Sequence, residues 1–267
     1  MIKEEDARIA RRRGRRAARF FRDNIVFHTH IEKTSGTSFA HGFVRALGKE
    51  HVHDTRPPQN PKPHFLSQED KDRIFVLTGH FFYGTHDASF KRNKLYLACV
   101  RPPLERMRSY YYFVSTRPGH PGYHRTEGKT FAEFVDEQIR TRVPNPNPMS
   151  RVLAGSKKLD VPGLLAHVES NYLIVTPHDR INDTLAALTP LLQGEQPARE
   201  LHLNKGTAPG EDETGDLEKR FRKAHATDYR LYHYVLERYE AWLDDLPARL
   251  ETQSRGDVPK PVRSRRR

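Results

Sequence analysis

The chain has a single cysteine, Cys99, among 267 residues. An intramolecular disulfide framework is therefore excluded, and the composition fits a reducing compartment. Cys99 sits in an apolar run and reads as core. Long apolar stretches are missing as well: no segment approaches the roughly 20 consecutive apolar residues that a membrane span needs. The Arg-rich start is not followed by the apolar segment of a secretory signal. The expectation is a soluble, cytoplasmic protein of bacterial type. No internal repeat is found, and the loop after the first strand, Glu32 to Ser38, lacks the Gly-Lys-Ser/Thr ending of an ATPase loop.

Basic charge is abundant, but it is unevenly placed. The formal net charge is +12. Residues 1–22 carry +6 of it and residues 251–267 carry +4, which leaves +2 for everything between. The body is thus nearly balanced. Arg11, Arg12, Arg13, Arg15 and Arg16 at one end, and Arg263, Arg265, Arg266 and Arg267 at the other, would attract any polyanion or would simply be solvated arms. The division expected is a basic arm over 1–22, a folded domain over 23–250 and a basic, disordered tail over 251–267. The length suits one α/β domain, and apolar runs through the middle suffice for a sizeable core.

Ile25 to Ile31 reads as a strand, and Ser38 then opens a helix with Phe39, Phe43, Val44 and Leu47 on one face before Gly48. Arg73 to Thr78 and Lys94 to Val100 are apolar enough for buried parallel strands. Pro103 occupies a first helical position, with Leu104, Met107, Tyr111 and Val114 as the stripe that follows. Pro118 to Gly128 reads as a loop. Thr130 and Glu133 form a capping-box pattern, Tyr172 to Thr176 a further strand, and Asn182 to Leu192 a helix. Asn204 to Asp216 reads as a mobile loop, and a last helix carries Leu231, Val235, Tyr239 and Trp242 on one side. Alternating strands and helices predict a three-layer, P-loop-like α/β fold with a central, mostly parallel sheet, and ligands beyond the carboxyl ends of its strands.

Two segments carry chemistry. Glu32-Lys33-Thr34-Ser35-Gly36-Thr37-Ser38 lies between a strand and a helix, where free N–H groups and the helix dipole favour an anion. Small hydroxyl residues and Gly36 let the backbone wrap a phosphate. Lys33 precedes the glycine, so this loop has no Gly-Lys pair followed by a hydroxyl to hold magnesium, and metal-dependent ATP hydrolysis at it is disfavoured. Arg101 stands at the end of the third strand with Ser109 about two helical turns on, so that a guanidinium fork and a hydroxyl can converge on a second phosphate. Two anion sites at neighbouring strand ends are what a nucleotide with 5′ and 3′ phosphates needs.

These residues resemble the Golgi-type carbohydrate sulfotransferases, nearest to the heparan sulfate and uronyl 2-O-sulfotransferases and their bacterial relatives. Ile31 to Phe39 looks like the 5′-phosphosulfate loop of that family, and Arg101 to Phe113 like its 3′-phosphate segment. The likeness continues through Lys129-Thr130-Phe131, Asn147 to Gly155 and Leu203-Asn204-Lys205-Gly206-Thr207. It covers about residues 25–243, with two departures: Glu32 replaces a usual proline before the lysine, and Pro102 replaces a usual aspartate after the arginine.

The resemblance implies transfer of a sulfuryl group from 3′-phosphoadenosine-5′-phosphosulfate to a carbohydrate hydroxyl, in an acidic glycan or another acceptor, without a metal. Lys33 and the loop residues Thr34, Ser35, Gly36, Thr37 and Ser38 would hold the 5′-phosphosulfate, with Lys33 also catalytic. Arg101 and Ser109 would take the 3′-phosphate, and Lys205 and Thr207 would close over the nucleotide. His80, after Gly79 at a strand end, matches the family's catalytic histidine as general base. His86 is the runner-up, with Asp87 to orient it. The pairs His28/His30 and His51/His53 lack a third ligand at zinc spacing. Two other readings remain: a nucleotide kinase using the same loop, and a nucleic-acid-binding protein driven by the Arg-rich tails, although nucleic acid is not the expected partner.

Overall fold

Asn24–Thr29 (β1) is buried at every position, as a strand must be when both faces of its sheet are covered. The computed structural model describes residues 15, 17–58, 60–193 and 215–257. The remaining four strands are Val52–Asp54 (β2), Val76–Gly79 (β3), Asn93–Val100 (β4) and Tyr172–Pro177 (β5). They form one sheet in the order β2-β3-β1-β4-β5. Every pairing is parallel. Helices cover both faces, giving the three-layer α/β arrangement expected.

The order has a functional consequence. From β1 the chain moves to one side for β2 and β3, then crosses to the other for β4 and β5, so β1 is the topological switch point. Thr29 is in register with Gly79 of β3 and Ala98 of β4. The segments after β1, β3 and β4 therefore leave the sheet at one edge, side by side.

The helices are residues 17–23 (α1), Gly36–Leu47 (α2), Gln68–Arg73 (α3), Pro103–Ser115 (α4), Phe131–Thr141 (α5) and Pro148–Ala154 (α6). Val161–Asn171 (α7), Ile181–Gln193 (α8), Gly215–Ala224 (α9), Ala226–Asp244 (α10) and Leu246–Ser254 (α11) complete them. Ala17 and Phe21, from the stretch read as a basic arm, belong to the core, and the Phe21 ring stacks on Phe75 at 4.4 Å. Gly42 lets α2 approach α8, since a Cβ there would fall 2.3 Å from Leu185 Cδ1.

α10 buries Leu231, Val235, Tyr239 and Trp242. It is tied to α7 and α11 through the buried Glu169, which accepts from Arg238 at 3.1 Å, Tyr234 at 2.6 Å and Trp242 at 3.1 Å, with Arg249 at 3.4 Å.

Several boundaries differ from the sequence pattern. The last stretch of the loop read over 204–216 belongs to α9, which opens at Gly215, and α11 runs to Ser254, into the stretch read as a disordered tail from 251, with Gln253 buried. The helix after β1 opens at Gly36, two residues earlier than Ser38, because Ser35 turns left-handed and serves as its N-cap residue. The strand read from Arg73 starts at Val76, since Gln68–Arg73 is a helix capped by Ser67. The segment read as a loop over 118–128 holds a single 3₁₀ turn at Tyr123–Arg125. The capping box of Thr130 and Glu133 is formed. The arginines up to residue 13, Arg16, the arginines from 263 on, and Leu203 to Thr207 with Lys205 lie outside the described residues.

Candidate active site

The loop between β1 and α2 is wound tightly. Lys33 and Ser35 have φ of 66° and 67°, a left-handed conformation that costs a non-glycine residue about 1 kcal/mol or more. Such turns aim successive N–H groups into a common concavity that suits an anion. Thr34 is fully buried and its hydroxyl donates to the Ile31 carbonyl at 2.9 Å. Only its backbone can therefore face a ligand. Ser35 makes no side-chain capping bond. Gly36 lies against the His30 ring, where a Cβ would stand 2.0 Å from Cδ2.

Lys33 reaches toward α4, with Nζ 4.1 Å from the centre of the Phe113 ring. Arg117 stacks on the same ring at 3.9 Å. Partial burial lowers the Lys33 pKa, and the charges of Arg117 and Arg101 lower it further against the pull of Glu32. Three cations thus converge with too little negative charge to balance them, the electrostatic signature of an anion site.

Arg101 leaves the end of β4 with its Nε 3.6 Å from Glu105 Oε2. That Nε is buried without a hydrogen-bond partner among the described residues. Ser109 is half-buried one turn beyond Glu105, so Arg101, Glu105 and Ser109 follow one line along the start of α4. Because β4 is the neighbour of β1, the Lys33 loop and Arg101 leave adjacent strands.

On the other side of β1, His80 follows β3. Its Nδ1 is 3.6 Å from Glu32 Oε1, and its ring stands edge-on to His30 at 4.7 Å. Burial lowers the His80 pKa; the Glu32 carboxylate opposes the shift, Arg56 reinforces it and Asp54 opposes it. The imidazole is accordingly neutral at neutral pH, the form a general base requires. His80 lines a cavity of about 420 Å³ with Arg56, Lys62, Phe82, Thr85 and His86.

His86 shares this cavity, but the orienting pair with Asp87 is not formed: the Asp87 carboxylate accepts from Tyr96 instead. His28 is a core residue, bonded through Nδ1 to Thr78 Oγ1 at 2.8 Å. His51 and His53 bond the carbonyls of Arg73 and Pro61. Among the described residues no group of three His, Cys, Asp or Glu side chains could hold a metal ion.

Sequence reasoning missed three participants. Glu32, in sequence only a departure from the family pattern, is the neighbour of His80. Arg117 lies past the end of α4, beyond the reach of any motif. Arg56 stands in a Pro-rich connection, and only the Asp54-x-Arg56 spacing hinted at the fork it forms: Nε to Oδ1 at 2.9 Å and Nη2 to Oδ2 at 2.6 Å.

Fold and site together define an α/β domain with a tightly wound, lysine-bearing loop at its switch point and a histidine of lowered pKa beside it. No family model matches the chain. It is similar to heparan sulfate 2-O-sulfotransferase 1 of Mus musculus, at 29% identity over 133 residues, 43% of this chain and 37% of that protein. The Homo sapiens protein of that name is 30% identical over 135 residues, again 43% and 37%. The Xenopus laevis one is 30% identical over 134 residues, 42% and 36%. The match thus spans little more than a third of these relatives' length. These distant likenesses support a sulfotransferase relationship. Among the described residues no helix is long and apolar enough to cross a membrane.

Proposed function

We propose that this chain transfers a sulfuryl group from 3′-phosphoadenosine-5′-phosphosulfate to a carbohydrate hydroxyl. One observation carries the reading: the Lys33 loop, Arg101 and His80 leave the ends of three adjacent strands, β1, β4 and β3, at the switch point of the sheet. The distant sulfotransferase likeness agrees with it.

In this mechanism the acceptor oxygen attacks sulfur in line while the bond to the 5′-phosphate breaks. His80, with Nδ1 toward Glu32, takes the hydroxyl proton on Nε2. Lys33 and the N–H groups of Ser35, Gly36 and Thr37 stabilise the charge that grows on the leaving phosphate, while the Ser38 N–H is taken by the Ser35 carbonyl at 3.0 Å. Arg101 and Ser109 bind the 3′-phosphate that separates this donor from ATP. No step calls on a metal ion. The acceptor is a glycan hydroxyl, as the names of the relatives suggest.

Calorimetric titration with 3′-phosphoadenosine-5′-phosphate, against ADP and magnesium-ATP, tests the reading. The expected result is a preference for the 3′-phosphorylated nucleotide that falls by about tenfold or more in Arg101→Ala, as loss of a charge-assisted bond predicts. Equal binding of ADP would overturn it in favour of a kinase.

A further inference from the structure

Arg56 is held more firmly than a loop arginine needs to be. Its backbone N–H donates to Asp54 Oδ1 at 3.0 Å, and its guanidinium grips the same carboxylate with two nitrogens. The segment is pinned in turn to the end of β3, next to His80: Thr55 N–H donates to the Thr78 carbonyl at 2.8 Å, and a Cβ on Gly79 would fall 1.9 Å from Thr55 Oγ1. A planar fork fixed in this way is pre-organised for recognition of an oxyanion.

The third guanidinium nitrogen points elsewhere. Nη1 donates to Thr37 Oγ1 at 3.2 Å, on the first turn of α2 and inside the anion-binding loop. Because the Thr37 oxygen accepts this bond, its own proton is free for an anion. Of the five guanidinium N–H bonds, these partners leave one on Nη1 and one on Nη2. Arg56 also lines the cavity of about 420 Å³ that holds His80. One side chain therefore touches the donor loop and faces the cavity of the base, the interval that a group passing from donor to acceptor must cross.

We propose that Arg56 is a further catalytic residue, whose two remaining N–H bonds donate to the equatorial oxygens of the sulfuryl group during transfer. The inference rests on the function proposed above. The bond from acceptor oxygen to sulfur forms as the bond from sulfur to the phosphate oxygen breaks, and that electron pair stays on the phosphate. The acceptor proton passes to His80, and Arg56 makes no covalent bond. Asp54 is a positioning residue, since it sets the plane of the fork. Its pKa is lowered through the hydrogen bonds from Arg56 against the effect of burial, so the carboxylate keeps its charge.

The test is equilibrium binding of two probes, 3′-phosphoadenosine-5′-phosphosulfate and its product 3′-phosphoadenosine-5′-phosphate, to the full chain and to Arg56→Gln, Arg56→Lys and Asp54→Asn. Arg56→Gln should keep product affinity within about twofold, because the product has no sulfuryl group, and lose about tenfold for the sulfated donor, as loss of charge-assisted hydrogen bonds predicts. Arg56→Lys, a charge without a fork, should recover part of that loss and covers the case in which the Gln variant does not fold. Asp54→Asn should fall between them. Equal effects on both nucleotides, or none, would overturn the role of Arg56 while the nucleotide assignment stands. A wild type that binds the product no better than ADP would overturn both.

Discussion

The Nδ1 atom of His80 lies 3.6 Å from Oε1 of Glu32, across the gap between the end of β3 and the loop that follows β1. A carboxylate next to the lysine of a proposed anion-binding loop looks misplaced in sequence. The fold resolves the conflict by turning it toward an imidazole, where it favours the protonated ring. Arg106 fixes the backbone from beneath, its Nη1 donating to the Glu32 carbonyl at 3.3 Å.

Glu32→Gln is therefore expected to shift the pH profile. Burial lowers the His80 pKa and Glu32 pulls it back up, so removing the carboxylate charge lowers it further. Activity of a general base is lost as pH falls through its pKa; the acid limb of kcat/KM should move to lower pH in the variant. A titration of the His80 ring by NMR should move the same way. A limb that stays in place, or moves up, would show that another group titrates there.

Gly36→Ala tests the contact between loop and strand. The added Cβ would fall 2.0 Å from His30 Cδ2, so the ring must move. His30 is anchored by its backbone N–H to the Gly79 carbonyl at 2.9 Å and is edge-on to His80. Overpacking of this kind costs about 1–3 kcal/mol, and the displaced ring would disturb both the Lys33 loop and His80. A lower melting temperature together with weaker 3′-phosphoadenosine-5′-phosphate binding is expected; an alanine variant that matches wild type in both would mean that His30 yields freely.

Local pattern carried much of this. The apolar runs of β1, β4 and β5 and the stripe of α10 are visible in sequence because burial on both faces of a parallel sheet, or on one face of a helix, dictates residue type over many positions. Val52–Asp54 was not visible: three half-buried residues at a sheet edge carry too little apolar signal. The loop from Lys33 to Ser38 could be placed, but not the inward turn of Thr34, which depends on the left-handed backbone at its neighbours. Arg56 and Glu32 escaped because their partners, Thr37 and His80, are distant in the chain and meet only when β2 and β3 assemble beside β1.

Lys33 is expected to act on the chemical step. Its ammonium stands over Phe113 among like charges, a strained arrangement that growing charge on a leaving phosphate would relieve. Lys33→Ala should lower kcat by roughly 100-fold or more, the scale for removing one oxyanion donor. It should affect 3′-phosphoadenosine-5′-phosphate affinity far less, because Arg101 remains. Steady-state kinetics and calorimetry on the same preparation separate the two; a loss confined to binding would assign Lys33 to recognition alone.

Acid should unfold the domain through histidines held neutral in its interior. His225 accepts from the Asn147 N–H at Nδ1, at 3.2 Å, and its Nε2 faces Gln138 Oε1 at 3.0 Å, so only the neutral Nε2–H tautomer satisfies both partners. Burial and the nearby Arg106 push its pKa down to about 3. His28, with no exposed surface, is likewise pushed down to about 3, by burial first and then by Arg56. In the unfolded chain both titrate near the usual value of about 6.5. Between that value and about 3 the unfolded state binds the extra protons, so stability is full above about 6.5 and declines as pH falls, at about 1.4 kcal/mol per pH unit for each group. From pH 7 to pH 5 the two together should cost about 4 kcal/mol, read as a falling urea midpoint. His225→Gln should flatten that decline by about one proton's worth, and an unchanged slope in the variant would mean that His225 is not the group being titrated.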